Sequence, residues 1–205
     1  MRSLKYSMEN NQFFCLKTLY MKLLLFLLLV ILLYLYSLPR YIPYLPTIPI
    51  YYNNEAKNVL QITKSLNDND IFFFYQTDES MVIPFLSYVR ETKKELIDII
   101  TSNFVLGIIL FFKYLINRPR PKQILNDIPT LDSKTADTPA YPAGHAFQAY
   151  YLAHILKKKY PEKSEIFDKL AYRCDEVRIK AGLHYPSDGK FSRDLVNFFI
   201  NIRLI

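Results

Sequence analysis

The sequence predicts an all-helical protein. Apolar residues recur at helical spacing in several segments, and clusters of proline or asparagine separate these segments. No segment shows the sustained alternation of a strand ladder, and there is no internal repeat. With 205 residues, 51% of them hydrophobic, the chain is long enough for one domain with a substantial core and a short appendage.

Residues 19–38 predict an N-terminal transmembrane helix, because they approach the roughly 20 apolar residues that cross a bilayer. More Lys and Arg precede this segment than follow it. We therefore expect a cytosolic tail over 1–18 and an extracytoplasmic or lumenal domain after the helix. A cleaved signal peptide is the alternative, although the run is long and no small-residue cleavage site follows it. Residues 39–52 are interpreted as a proline-rich linker, and 53–205 as the domain.

Helices are predicted over 53–67, 92–116, 145–159, 164–181 and 194–205. Residues 71–75 form a short aromatic run, 77–89 suggest a capped helix that breaks near Pro84, and 122–140 form a long polar loop. The second half of the 92–116 helix is apolar all round. Polar residues at 98–103 and Lys113 favour a buried core helix there over a second membrane span.

The net charge of +7 suits anionic partners such as phosphates or membrane surfaces. No basic block, zinc-finger spacing or RNA-binding motif supports nucleic acid as a partner. The two cysteines, Cys15 and Cys174, lie on either side of the first apolar run. They form no CxxC pair, so both are interpreted as ordinary thiols.

The first of three polar clusters at helix ends pairs Lys113 with Arg120. Pro119 and Pro121 put Arg120 on extended chain, from which it can fold back toward Lys113. A basic helix C-terminus that complements the helix dipole is an equally good explanation of this cluster alone.

The second cluster, Pro142-Ala143-Gly144-His145, opens a helix. Backbone N–H groups at a helix start bind anions, and Gly144 allows a close approach. His145 beside such a site could give a proton to a leaving oxygen. An ordinary polar residue at a helix start is the alternative.

The third cluster contains Arg178, His184 and Asp188. Gly182 and Pro186 bend the chain, so Arg178 and His184 can aim at one point, while Asp188 can hold the His184 ring. A carboxylate on one ring nitrogen fixes the tautomer and leaves the other nitrogen as a nucleophile. A surface His–Asp pair is the alternative for this cluster in isolation. Together, the three clusters supply what phosphoryl transfer to a histidine requires.

These motifs resemble those of the type 2 phosphatidic acid phosphatase (PAP2) and vanadium haloperoxidase superfamily. The family pattern is Lys-x6-Arg-Pro, then Pro-Ser-Gly-His, then Ser-Arg-x5-His-x3-Asp. In this chain the pattern is matched in order and with the same internal spacing over roughly residues 95–190. Matching positions are Lys113, Arg120-Pro121, Pro142-Ala143-Gly144-His145, Val177-Arg178, His184 and Asp188.

The resemblance implies a phosphatase and a role for each matching residue. His184 would attack phosphorus, Asp188 would orient it, and His145 would protonate the leaving group and later activate water. Substrate phosphate would be held by four groups: Lys113, Arg120, Arg178 and the Gly144 backbone. No metal or other cofactor is implied for the phosphatase branch, and the substrate would be a lipid, isoprenoid or soluble phosphomonoester.

Two positions depart from the family pattern, since Ala143 and Val177 each replace a serine. Loss of the hydroxyl at Ala143 removes one donor to phosphate and should cost on the order of 1–3 kcal/mol of binding. With both histidines and the cations present, activity is still expected.

Two other functions remain open at this point. A haloperoxidase would bind vanadate in the same pocket. Haloperoxidases of the superfamily, however, are typically much longer chains than this one. They also tend to carry an aromatic residue or histidine where this chain has Thr138. A non-catalytic, membrane-tethered binding domain would follow if the loss of the serine at Ala143 had ended turnover. Lipid phosphatases of the superfamily usually have about six spans. A compact helical bundle of the soluble acid phosphatase type with one anchor is the better match.

Overall fold

The computed structural model describes residues 26–31 and 52–202. Residues 26–31, the described part of helix α1, are helical with exposed apolar side chains. They belong to one compact unit, Met1–Pro39, and residues 52–202 belong to the other, Arg40–Ile205. The rest of the predicted anchor over 19–38, residues 39–51 of the linker predicted over 39–52, and Cys15 lie outside the described residues, and these predictions stay predictions. Tyr52, the last residue of the predicted linker, begins a helix.

Residues 52–202 are helical and contain no strand, which confirms the predicted all-α class for the described part of the chain. The helices are α2 (Tyr52–Thr63), α3 (Asp68–Glu79), α4 (Lys93–Ile100), α5 (Asn103–Ile116), α6 (Pro121–Ile124), α7 (Gly144–Lys159), α8 (Ser164–Lys180) and α9 (Pro186–Asn201). Two 3-10 turns, Ile83–Tyr88 and Pro161–Lys163, join α3 to α4 and α7 to α8.

Helix α7 is central to the bundle. It packs most extensively against α8 and also against α9, α4 and α5, while α8 contacts α2 and α3. The largest core cluster contains Phe74, Phe85, Leu152 and Phe167, which join α3, the first 3-10 turn, α7 and α8. A second cluster joins α5, α7 and α9 through Val105, Phe147 and Val196. The apolar face of α7 is thereby covered on several sides, which fixes both ends of the helix.

The first part of the domain differs from the sequence prediction. The run 67–70 was predicted to end the helix over 53–67, but α2 already ends at Thr63. The run instead begins a helix, because Asn67 caps α3 and Asp70 completes a capping box. The aromatic run 71–75 is therefore helical. The predicted capped helix over 77–89 is wrong, since α3 ends at Glu79 and only a 3-10 turn follows at Ile83–Tyr88.

The predicted helix over 92–116 is two helices. Thr92 caps α4 with a capping box, and the chain breaks at Thr101 and Ser102, both outside the preferred helical backbone region, before α5 begins. As expected, α5 ends before the proline pair. Asn117 adopts the left-handed conformation (φ 47°) that asparagine tolerates, and its N–H bonds to the Lys113 carbonyl.

Helix α5 buries Val105, Ile109, Lys113 and Ile116 on one face and exposes Leu106, Leu110, Phe111 and Leu115 on others. Within the described residues, no single helix is long and apolar enough to cross a bilayer. The pair Lys93–Ile100 and Asn103–Ile124, bent by 46°, meets that requirement together by length and composition.

The C-terminal helix also begins earlier than predicted. It was expected over 194–205, but Pro186 occupies the first turn of α9 instead of only ending α8. Asp188 consequently lies in the first turn of a helix, not on a loop. Between α8 and α9, Gly182 has φ +73°, and a Cβ there would lie 2.3 Å from the Pro129 carbonyl oxygen, so glycine is required at this turn.

Candidate active site

A pocket forms where the end of α5, the start of α7 and the segment between α8 and α9 meet. It encloses about 170 Å³. Its wall contains five of the residues singled out from the sequence: Lys113, Arg120, Gly144, His145 and His184. Asp188 lies directly behind His184, so six of the seven candidates converge although the sequence separates them by up to 75 residues. The expected fold-back of Arg120 toward Lys113 is observed.

His184 is held by Asp188 from behind. The ring Nδ1 lies 3.1 Å from Asp188 Oδ2, and that same oxygen accepts the Tyr185 N–H at 2.9 Å. Burial, followed by the charges of Arg120 and Lys113, holds the pKa of His184 well below its usual range. A neutral ring that donates from Nδ1 to the carboxylate leaves the Nε2 lone pair facing the pocket.

Arg120 lies against the pocket-facing nitrogen of His184. One terminal nitrogen is 2.8 Å from His184 Nε2 and also donates to the Leu183 carbonyl at 2.8 Å. Its other nitrogens donate to the carbonyls of Thr135 and Thr138 and to the Thr138 hydroxyl. Thr138 thus serves to orient Arg120. Displacement of Arg120 by an anion would leave the Nε2 lone pair of His184 open to the pocket.

Lys113 reaches the same pocket from α5. Its ammonium group is buried (5% exposed) and donates to the Pro139 carbonyl. Across from it, a Cβ at position 144 would point at Ile109 and at Lys113 Cε, at 3.5 and 3.8 Å. These are ordinary contacts, so glycine is not required by the protein itself. A side chain there would instead occupy space between α5 and α7, next to the cation.

His145 occupies the first turn of α7. Its pKa is held well below the usual range by burial and then by the charges of Arg178, Arg120 and Lys113. Among the described residues, no side chain forms a hydrogen bond with its ring. Ala143 is the N-cap and supplies no side-chain acceptor, so the first N–H groups of α7 have no side-chain cap from their own N-cap.

Arg178 does not join the pocket wall. Its guanidinium is buried (1% exposed) and pairs with Asp78 at 2.7 Å, donates to the Thr77 hydroxyl at 3.2 Å, and stacks on Phe74. The Arg178 charge still acts on His145. Asp78 was missed in the sequence because it lies 100 residues before its partner and outside any motif.

Two further residues were missed next to Asp188. Arg118, fully buried, donates to Asp188 Oδ1 at 2.6 Å, and Glu55 of α2 pairs with Arg118 at 2.6 Å. The segment Asn117-Arg118-Pro119-Arg120 carries two arginines, and the spacing motif singled out only the second. Nothing in the sequence near Glu55 indicated a link to the site. Within the described residues, no group of three or more His, Cys, Asp or Glu side chains could hold a metal ion.

Comparisons with known proteins return little. No protein-family model and no curated protein matches the sequence. One similar solved structure is a transmembrane PAP2 type phosphatidylglycerolphosphate phosphatase from Bacillus subtilis, with 21% identity and a TM-score of 0.44 over 74% of this chain and 89% of that chain. A similarity of this size carries no functional conclusion, so the chemistry has to come from the chain's own residues.

Proposed function

We propose that this protein is a phosphatase that transfers the phosphoryl group of a phosphomonoester to His184 and then to water. One observation carries the proposal: His184 Nδ1 rests on Asp188 while its Nε2 faces Arg120 at 2.8 Å inside a buried pocket. This is the arrangement of an activated nitrogen nucleophile beside a phosphate-binding cation.

In the first step, the phosphate binds between Lys113, Arg120 and the N-terminus of α7. His184 Nε2 attacks phosphorus, the bond from phosphorus to the ester oxygen breaks, and the leaving oxygen takes a proton from His145. Arginine and lysine stabilise the charge on the non-bridging oxygens, which is the main catalytic requirement of phosphoryl transfer. In the second step, His145 takes a proton from water and the water oxygen attacks phosphorus. The bond from phosphorus to His184 Nε2 breaks, its electron pair returns to Nε2, and inorganic phosphate leaves.

Charge balance supports the role of His145 as a proton donor. The cations that lower its pKa, Arg178, Arg120 and Lys113, are neutralised in part when a phosphate anion enters. Substrate binding therefore raises the pKa of His145 toward the range in which the ring carries the proton that the leaving oxygen needs. A site without an anion keeps this histidine neutral.

The pocket wall favours a substrate with an apolar group next to its phosphate. Leu106, Ile109 and Leu110 of α5 line one side, and Leu106 and Leu110 are also partly exposed (37% each). Burying an alkyl chain against them would contribute roughly 0.8 kcal/mol per CH₂ group. We propose a lipid or isoprenoid phosphate ahead of a soluble phosphomonoester, and a tether through residues 19–38 that presents the domain on the extracytoplasmic or lumenal side.

Phosphate release by the full-length protein in detergent tests this function. The panel contains a lipid phosphate, an isoprenoid phosphate and p-nitrophenyl phosphate, each with wild type, His184→Ala and His154→Ala. His154 is a matched control, since it lies nine residues beyond His145 on α7 and away from the pocket. We expect release by wild type and His154→Ala and none by His184→Ala. Equal release by all three proteins, or none by any, would contradict the proposal.

A further inference from the structure

We infer that Arg118 and Glu55 form a positioning pair that holds Asp188 in the orientation that His184 needs. The inference rests on the proposed function and extends the site to α2, which contributes no residue to the three motifs. Neither residue touches the pocket, so both act through Asp188.

Arg118 is fully buried and held by several partners, unlike an arginine on the protein surface. It is 0% exposed, and its guanidinium lies 3.7 Å from the centre of the Tyr185 ring, which fixes the plane of the group. One terminal nitrogen donates to Asp188 Oδ1 and to Ser187 Oγ, both at 2.6 Å, and the other donates to Glu55 at 2.6 Å. This forked geometry is specific to arginine.

Glu55 anchors that fork from the first turn of α2. Its Oε1 accepts the Ser187 N–H at 2.8 Å, and its Oε2 accepts the Ser187 hydroxyl at 2.8 Å as well as Arg118. Ser187 and Asp188 are neighbours in the first turn of α9. One carboxylate therefore fixes both the arginine and the helix turn that carries the catalytic aspartate.

The two oxygens of Asp188 have separate tasks as a result. Oδ1 is held by Arg118, while Oδ2 accepts the Tyr185 N–H and faces His184 Nδ1. Without Arg118, Oδ1 would have no described hydrogen-bond donor in a fully buried position, and the carboxyl group could turn or take up a proton. After either change, Asp188 would no longer fix the His184 tautomer that carries its proton on Nδ1 and none on Nε2.

Electrostatics gives the pair a second effect. Burial raises the pKa of Asp188 to about 6, and the charge of Arg118 is the largest influence that opposes this rise. Removal of Arg118 would raise this pKa further, so Asp188 would become protonated at a higher pH. The titratable and charged groups that interact with Asp188 from the surrounding elements are Lys113, Arg118, Arg120, Tyr141, Asp175 and His184. Glu55 is linked to it through Arg118.

The test compares Arg118→Met, Arg118→Lys and Glu55→Gln with the exposed control Arg90→Met, all in the full-length protein. For Arg118→Met we expect kcat to fall about a hundredfold with little change in KM, and the acidic limb of the pH profile to move to higher pH. Arg118→Lys keeps the charge but not the forked geometry. Its acidic limb should therefore lie at the wild-type pH, while kcat should recover only in part relative to Arg118→Met. Glu55→Gln should lower kcat about tenfold and leave the limb in place.

Nitrogen NMR of the His184 ring provides a readout that does not depend on turnover. We expect Nδ1 to carry the proton in wild type and the two tautomers to mix in Arg118→Met and, more weakly, in Glu55→Gln. The proposed function fails if wild type releases no more phosphate than His184→Ala, and the NMR result then still decides this inference. The inference is overturned if folded Arg118→Lys and Glu55→Gln both keep the kcat, the pH profile and the His184 tautomer of wild type. This outcome is decisive even if Arg118→Met does not fold.

Discussion

The two histidines of the pocket lie in opposite kinds of surroundings. His184 is backed by Asp188, Arg118 and Glu55, a chain of partners that runs from α9 to α2. His145 projects from a helix start whose N-cap, Ala143, provides no side-chain bond, and no described side chain bonds to its ring. In the proposed mechanism, the nucleophile is therefore fixed in advance, whereas the protonation of the acid depends on the charge that the substrate brings.

Packing shows the same contrast. On the His184 side, a Cβ at Gly189 would lie 1.9 Å from Asp175 Oδ1, so α8 and α9 approach as closely as a glycine allows. On the His145 side, a Cβ at Gly144 would meet only ordinary contacts at 3.5 and 3.8 Å. Substitutions behind His184 should therefore damage folding and catalysis together, and substitutions around His145 should act mainly on binding and proton transfer.

The largest effect is expected from Asp188→Asn. The amide keeps the shape but can present its NH₂ group to His184, which favours the wrong tautomer, and it removes one of the charge partners of the buried Arg118. We expect kcat to fall by about a thousandfold or more. Unfolding free energy should fall by roughly 3 kcal/mol. Phosphate release and chemical denaturation measure the two effects, and a folded variant with near wild-type kcat would contradict the role of Asp188.

The next largest effect concerns His145→Ala, and it should depend on the leaving group. An alkyl phosphate expels a basic alkoxide that needs a proton, so we expect a loss of about 10²- to 10³-fold. Phenolic p-nitrophenyl phosphate needs that proton far less and should lose much less. Equal losses on both substrates would mean that His145 acts in binding instead of proton transfer.

The sequence predicted which residues converge on the pocket better than it predicted the residues that support them. Local spacing identified the pocket residues, because each motif lies at a helix end where a few residues determine which way a side chain points. Asp78, Glu55 and Arg118 act through ion pairs that span 63 to 100 residues, and no local pattern encodes such pairs. Arg178 was predicted to bind phosphate, but Asp78 already pairs with it.

The same limit explains the errors in the fold. The break at Thr101 and Ser102 was missed because the polar residues at 98–103 were interpreted as the polar face of one continuous helix. The start of α9 was missed because Pro186 was interpreted as a stop. A proline that follows one helix can equally occupy the first position of the next helix. The helices α7 and α8, whose ends are marked by short local signals, were predicted to within a residue or two.

A moderate effect is expected from pH. Ionised Asp188 and neutral His184 are needed for attack, so activity should fall as pH drops through the range around 6 where Asp188 takes up a proton. His145 must carry a proton in the complex, so activity should also fall as pH rises. We expect a bell-shaped profile of kcat against pH with its maximum below pH 7. A profile that keeps rising to pH 9 would contradict the assignment of His145 as the acid.

The smallest effect is expected from Ala143→Ser. A hydroxyl at the N-cap of α7 adds a cap that is worth about 1 kcal/mol or, when a ligand is present, one more donor to phosphate. Vanadate inhibition should tighten by up to roughly tenfold, while Val177→Ser, at the other departure from the motif, serves as the matched comparison. Unchanged inhibition in Ala143→Ser would show that the missing hydroxyl plays no part in binding.

Capture of the covalent intermediate tests the central claim most directly. Wild type, His184→Ala and His154→Ala are mixed with a substrate labelled in its phosphoryl group, quenched within milliseconds and digested to locate the label. The account predicts label on His184 in wild type and in His154→Ala, and none in His184→Ala. Label on a different residue, or rapid turnover by wild type with no labelled protein at any time, would contradict it.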